Sequence, residues 1–210
     1  MNIFILSTGR CGSTTFIEAC KHIKNYSSSH ESRCSMIGDE RLNYPISHIE
    51  ADNRLSWLLG RIDEKYGNDA FYVHLKRNKH DTARSFTKRY SYGIIKAYRG
   101  DGVLMGTSDT IDSMSISLDY CNTVNSNIEL FLKDKSKKMT ISLEKIDQDF
   151  IEFWEQVKAE GDIKMALEEF NIKYNATKLD KKNYPRSIIH RSIHKLKRVF
   201  QKFPEFIKNS

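Results

Sequence analysis

Cysteine is scarce in this 210-residue sequence, and metal-binding spacings are missing. The four cysteines, which share no Cys-x-x-Cys spacing, are Cys11, Cys20, Cys34 and Cys121. A zinc ribbon or a disulfide framework needs such closely spaced residues, so neither is expected. His190 and His194 stand one helical turn apart, but no carboxylate accompanies them as in a His-Glu-x-x-His site. We therefore predict reduced thiols and no bound metal.

Long apolar runs are also missing. The longest one near the N-terminus covers only residues 3–6, whereas a membrane span needs about 20 residues and a signal-peptide core about 7–15. We expect no membrane span, no signal peptide and a cytoplasmic location. Lys and Arg number 34 against 27 Asp and Glu, so the net charge is +7 and an anionic partner is expected, either a nucleic acid or a polyanionic small molecule.

Strand and helix patterns alternate along the chain. Buried strands are predicted at residues 2–6, 25–31, 70–76 and 138–144. Helices are predicted at 16–24, 53–66, 81–98, 110–133 and 148–170, the last broken near Gly161, and residues 32–52 and 99–108 are expected to be irregular. The alternation predicts one α/β domain over 1–186, with a central, mainly parallel sheet covered by helices on both faces. A basic helix over 187–202 and the tail to 210 are expected to pack on it.

The loop after the first strand is rich in small and hydroxyl residues. Residues 7–15 read Ser-Thr-Gly-Arg-Cys-Gly-Ser-Thr-Thr and lead into a helix. Glycines let backbone N–H groups converge, hydroxyls add donors and the helix N-terminus adds positive potential, so the loop is suited to an anion. A nucleotide-kinase loop would carry lysine where Thr15 stands, and no predicted strand ends in a magnesium-binding aspartate. Both features point away from ATP.

Two segments carry a family resemblance. Residues 4–15 resemble the 5′-phosphosulfate loop of sulfotransferases that use 3′-phosphoadenosine 5′-phosphosulfate (PAPS). Residues 72–86 are similar to the 3′-phosphate motif of that family, a strand ending in Arg-Asn-Pro-x-Asp with a serine eight places after the arginine. Arg77 and Ser85 match this spacing, although Lys79 replaces the proline. Residues 138–144 are similar to the late strand of the family and its glutamate.

The resemblance implies a sulfotransferase architecture and an enzyme that transfers a sulfuryl group from PAPS to a hydroxyl or amine acceptor by in-line displacement. The product nucleotide would be 3′-phosphoadenosine 5′-phosphate (PAP), and no metal would be needed. The implied nucleotide-binding residues are Arg10, Cys11, Gly12, Ser13, Thr14, Thr15, Arg77 and Ser85. Arg10 would also act in catalysis, because its charge would stabilise the leaving phosphate oxygen.

The transfer needs a base for the acceptor proton, and we predict Glu31. It closes the second predicted strand, near the place where family members acting on carbohydrates or protein tyrosine carry a glutamate. His30, Glu40 and His48 are the alternatives. Since neighbouring residues of a strand point to opposite faces, only one of His30 and Glu31 is expected to face the cleft.

Two other functions stay open at this stage. One is an unusual P-loop kinase acting on a small molecule. The other is an idle nucleic-acid binder using the basic helix, which the intact Arg10, Arg77 and Ser85 disfavour. For the sulfotransferase, we expect a hydroxyl-bearing small-molecule, carbohydrate or lipid acceptor held by residues 32–52 and 99–110, and no nucleic acid. The oligomeric state is not predicted.

Overall fold

Five parallel strands form one sheet in the computed structural model, which describes residues 1–108 and 110–172. The strands are β1 (Ile3–Leu6), β2 (Ser27–His30), β3 (His48–Ala51), β4 (Phe71–Lys76) and β5 (Lys138–Ser142). They lie in the order β2-β3-β1-β4-β5, and every neighbouring pair is parallel. The α/β prediction is therefore confirmed. The predicted basic helix at 187–202 and the tail lie outside the described residues.

Helices cover both faces of this sheet. They are α1 (Ser13–Cys20), α2 (Leu59–Tyr66), α3 (Lys79–Thr87), α4 (Gly93–Ala97), α5 (Ser113–Leu132), α6 (Ile146–Gln156) and α7 (Ile163–Glu168). Side chains of β1 alternate between the faces. Ile3 and Ile5 pack with α1, α6 and α7, while Phe4 and Leu6 pack with α2, α3 and α5. Every side chain of β1 is buried, which explains its unbroken apolar sequence.

The strand β3 corrects the expectation that residues 32–52 are irregular. It is fully buried between β1 and β2, but two of its four residues are polar. His48 contacts Oγ of Ser27 through Nδ1 (2.8 Å) and Oε2 of Glu50 through Nε2 (3.1 Å). Glu50 also accepts hydrogen bonds from the backbone N–H and the hydroxyl of Ser32. These contacts satisfy the buried polar groups of β3. The same two polar residues interrupt the apolar pattern by which a buried strand is recognised in a sequence.

Two predicted helices are broken in the structure. The helix predicted at 53–66 begins as a 3₁₀ turn, Asn53–Trp57, before α2. The helix predicted at 81–98 begins earlier, at Lys79, and is divided into α3 and α4. Gly93 opens α4 with a φ of 69°, a left-handed conformation that glycine adopts without strain. The break matters because residues between α3 and α4 form a wall of the candidate site.

The carboxyl ends of β3, β1 and β4 are adjacent, as Ile5 of β1 is paired with Ala51 on one side and Val73 on the other. The segments that follow these strands therefore meet at one edge of the sheet, where ligands bind in parallel α/β folds. In the described part of the chain, no helix is both long and apolar enough to cross a membrane.

Candidate active site

The loop after β1 forms a backbone cradle. Gly9, Arg10 and Gly12 have φ values of 81°, 63° and 87°, so the chain curls before α1 begins at Ser13. The hydroxyl of Tyr120 donates to the carbonyl of Thr8 (2.7 Å) and fixes the loop against α5. Successive left-handed turns aim N–H groups to one side, and the N-terminus of α1 adds its positive potential. The cradle is suited to a phosphate or sulfate group.

The structure brings the two family-like segments together at Arg10. Its Nε donates to Oγ of Ser85 (3.0 Å), and Arg77 donates through Nη1 to the carbonyl oxygen of Arg10 (3.4 Å). Burial, followed by the positive charges of Arg89 and Arg77, lowers the pKa of Arg10. Positive charges therefore surround this guanidinium, which suits the binding of an anion.

A cavity of about 440 Å³ opens beside Arg10. Its lining residues are Gly9, Arg10, Ser13, Thr14, His30, Glu31, Asn53, Arg54, Phe86, Arg89, Tyr92, Gly93 and Ile94. They come from the loop after β1 and the start of α1, from the end of β2 and the residue after it, from the 3₁₀ turn after β3, and from the end of α3 through the start of α4. The acceptor-binding segments predicted at 32–52 and 99–110 are not represented among these described lining residues.

Both leading candidates for the base line this cavity, which corrects the expectation that only one of them faces it. The strand β2 ends at His30, and Glu31 has a φ of 53°, so the alternation of a strand no longer applies. Oε1 of Glu31 forms an ion pair with Nη1 of Arg54 (3.1 Å). Nε2 of His30 contacts Oγ of Ser13 (3.0 Å).

The other two candidate bases do not line the cavity. Glu40 is exposed and pairs with Arg33 (3.2 Å). His48 is buried, and its ring contacts Ser27 of β2 and Glu50 of β3. The structure thus leaves His30 and Glu31 as the candidates that adjoin the loop.

The remaining predicted nucleotide-binding residues lie around the loop. The Cys11 thiol is buried against Thr8 (3.2 Å), and burial raises its pKa, so the backbone of Cys11 is the part suited to an anion. Ser13 and Thr14 line the cavity, whereas Gly12, which precedes α1, and Thr15, in its first turn, are not among the lining residues. Arg77 and Ser85 contact Arg10 from outside the cavity lining.

Two solved structures resemble the described fold. One is a sulfotransferase domain from the curacin biosynthetic pathway, with a TM-score of 0.54, 13% sequence identity, and coverage of 79% of this chain and 75% of that chain. The other is mouse sulfotransferase SULT7A1 complexed with PAP, with a TM-score of 0.52, 14% identity, and coverage of 87% and 69%. The protein has a sulfotransferase fold. No protein-family model and no curated protein sequence matches the chain.

Sequence reasoning about this sulfotransferase fold missed two cations of the cavity, Arg54 and Arg89. Arg54 belongs to the 3₁₀ turn after β3, and the sequence pattern did not predict that strand. Arg89 lies in the turn after α3, which ends at Thr87, and the sequence pattern, which predicts an unbroken helix there, gives no signal for that turn. In the described part of the chain, no three His, Cys, Asp or Glu side chains converge as metal ligands.

Proposed function

We propose that the protein is a sulfotransferase that uses PAPS as donor and transfers the sulfuryl group to a hydroxyl or amine acceptor. The observation that carries the proposal is the hydrogen bond between Arg10 and Ser85, which joins two segments 75 positions apart. The two segments resemble the 5′-phosphosulfate and 3′-phosphate motifs of PAPS-dependent enzymes. The mouse sulfotransferase with a similar fold is complexed with PAP, which supports the same nucleotide here.

The groups around Arg10 fit a nucleotide with phosphates at both ends of its ribose. The backbone N–H groups of the loop and the hydroxyls of Ser13 and Thr14 are suited to the 5′-phosphosulfate. Arg77 and Ser85 adjoin Arg10 from the β4 and α3 side and are assigned to the 3′-phosphate. The lowered pKa of Arg10, caused by burial and then by neighbouring arginines, indicates positive potential that a polyanion would neutralise.

In the proposed reaction, Glu31 takes the proton of the acceptor as the acceptor oxygen or nitrogen bonds to sulfur. Arg54 holds Oε1 of Glu31 in place, and Oε2 is assigned to the incoming proton. The bond between sulfur and the bridging oxygen of the donor breaks, and its electron pair leaves with the 5′-phosphate of PAP. Arg10 and the loop N–H groups stabilise that departing charge, a preorganised electrostatic effect.

The acceptor is assigned to the cavity between Glu31 and the link from α3 to α4. Phe86, Tyr92 and Ile94 give this wall an apolar character, which suits the carbon skeleton of a small molecule, carbohydrate or lipid. The acceptor class and the cytoplasmic location stay predictions.

Isothermal titration calorimetry of the full chain with PAP, AMP, ATP and NAD tests the proposal. We expect PAP to bind most tightly and AMP, which lacks the 3′-phosphate, to bind roughly ten- to a hundredfold more weakly. Equal affinity for AMP and PAP would overturn the assignment. ATP turnover that requires Mg²⁺ would favour a kinase instead, and salt-dependent RNA binding without PAP binding would favour a nucleic-acid binder.

A further inference from the structure

We infer that Arg89 binds the sulfuryl group of the donor and so lets the site distinguish PAPS from PAP. The inference rests on the proposed function. It assigns a role to a residue outside both family-like motifs. It is carried by the position of Arg89 in the cavity, by a buried Nε that has no hydrogen-bond partner in the described chain, and by the charges around it.

Arg89 lies in the half of the site where transfer would occur. It lines the cavity together with Arg10, Ser13 and Glu31, whereas Arg77 and Ser85 are not among the lining residues. A sulfuryl group must lie between the loop that holds the phosphosulfate and the base that receives the proton. The cavity that contains both Arg10 and Glu31 is that space.

The Nε atom of Arg89 is buried and has no hydrogen-bond partner in the described chain, residues 1–108 and 110–172. Arg54 forms an ion pair with Glu31, although its Nη1 likewise makes no hydrogen bond in the described chain, and Arg84 forms an ion pair with Asp81. A buried, charged donor without an acceptor is costly, so a site of this kind is suited to an anionic ligand.

Charge balance points to the sulfuryl oxygens as that anion. Arg89 and Arg10 line the same cavity, and after burial the positive charge of Arg89 is the next cause of the lowered pKa of Arg10. The phosphates of the donor are already assigned to the loop, Arg10, Arg77 and Ser85. The sulfuryl oxygens face the Glu31 carboxylate, and a cation beside them would offset that repulsion.

Calorimetric titration of PAPS and PAP without acceptor tests this assignment in the full chain. We expect Arg89→Ala to weaken PAPS binding roughly ten- to a hundredfold and to change PAP binding by less than about threefold. Arg89→Lys should recover part of the loss, because lysine keeps the charge but not the forked donors. Arg84→Ala is the matched control, as Arg84 is an exposed arginine of α3 outside the cavity, and it should leave both affinities unchanged.

Equal losses for PAPS and PAP would overturn the assignment, because Arg89 would then contact a group that both nucleotides carry. Unchanged PAPS binding in Arg89→Ala would overturn it as well. If the unaltered protein binds neither nucleotide, the proposed function fails; if it binds both and their affinity ratio is the same in Arg89→Ala, the role of Arg89 alone fails. Circular dichroism and thermal melting establish that the variants are folded, and chromatography after each titration shows whether PAPS stayed intact.

Discussion

Oε1 of Glu144 accepts a hydrogen bond from the backbone N–H of Asn78 (2.7 Å), linking the segment after β5 to the turn that carries Arg77. Oε2 of the same carboxylate accepts from the Ser142 hydroxyl (2.6 Å). Burial alone would raise the pKa of Glu144, but these hydrogen bonds outweigh it and lower the pKa. The carboxylate is therefore charged at neutral pH and fixes the turn from which Arg77 reaches the carbonyl of Arg10.

Arg77→Ala should weaken PAP binding by roughly ten- to a hundredfold, because a charge-assisted contact to the 3′-phosphate is lost. AMP affinity should stay nearly unchanged, since AMP has no 3′-phosphate. Titration calorimetry measures both. Lys76→Ala is the control, because Lys76 precedes Arg77 but pairs with the exposed Glu129. A matching loss for AMP would show that Arg77 does not bind the 3′-phosphate.

Glu31→Gln should lower the rate of transfer by roughly 10²–10⁴ while PAP affinity stays nearly unchanged, because glutamine keeps the volume but cannot take the acceptor proton. Single-turnover transfer to an acceptor found by screening measures this effect. His30→Ala, which alters the other candidate at the cavity, should have a smaller effect. The reverse ranking of the two variants would assign the proton to His30.

Gly12→Ala should lower the free energy of unfolding by about 1–2 kcal/mol, the cost of placing a side chain in the left-handed region. Gly12 has a φ of 87°, and an added Cβ would lie 2.9 Å from Cδ1 of Leu143. Gly60→Ala is the matched control, since Gly60 lies in α2 with no atom within 4 Å of an added Cβ and should be neutral or slightly stabilising. Urea denaturation compares the two. A Gly12→Ala protein as stable as the original would contradict the left-handed conformation of Gly12.

Acid should destabilise the protein partly through His74. Burial, the largest cause, lowers the pKa of this histidine in β4, and its Nε2 contacts Oδ1 of Asn125 (3.1 Å). The unfolded chain then binds a proton more readily than the folded one, so this contribution is present above the ordinary histidine pKa of about 6.5 and is lost as pH falls below it. His74→Gln should show a shallower loss of unfolding free energy between about pH 7 and 5. An unchanged slope would exclude His74 as a cause.

The sequence predicts those strands and helices whose buried residues are also apolar. The strand β1 is apolar throughout and is followed by glycines and hydroxyls, so both the strand and its loop are recognisable. The strand β3 is not recognisable, because its polar residues His48 and Glu50 are satisfied by each other and by Ser27 and Ser32 of other segments. The expectation that only one of His30 and Glu31 faces the cavity was wrong for a related reason. Glu31 has a left-handed φ of 53°, which no residue-type pattern marks, and both residues line the cavity.

The strand β1 lies between β3 and β4, and the loop that follows it is assigned to the nucleotide. The proposed nucleotide would therefore also stabilise the folded state. Groups assigned to one ligand come from the ends of adjacent strands and from chain positions 75 residues apart, as Arg10 and Ser85 are. A ligand held by such distant segments acts as a reversible cross-link that the unfolded chain cannot form. At a concentration a hundred times its dissociation constant, a ligand specific for the folded state adds about 2.7 kcal/mol to the free energy of unfolding. Occupancy of the site would therefore raise the stability of the fold as well as support the reaction.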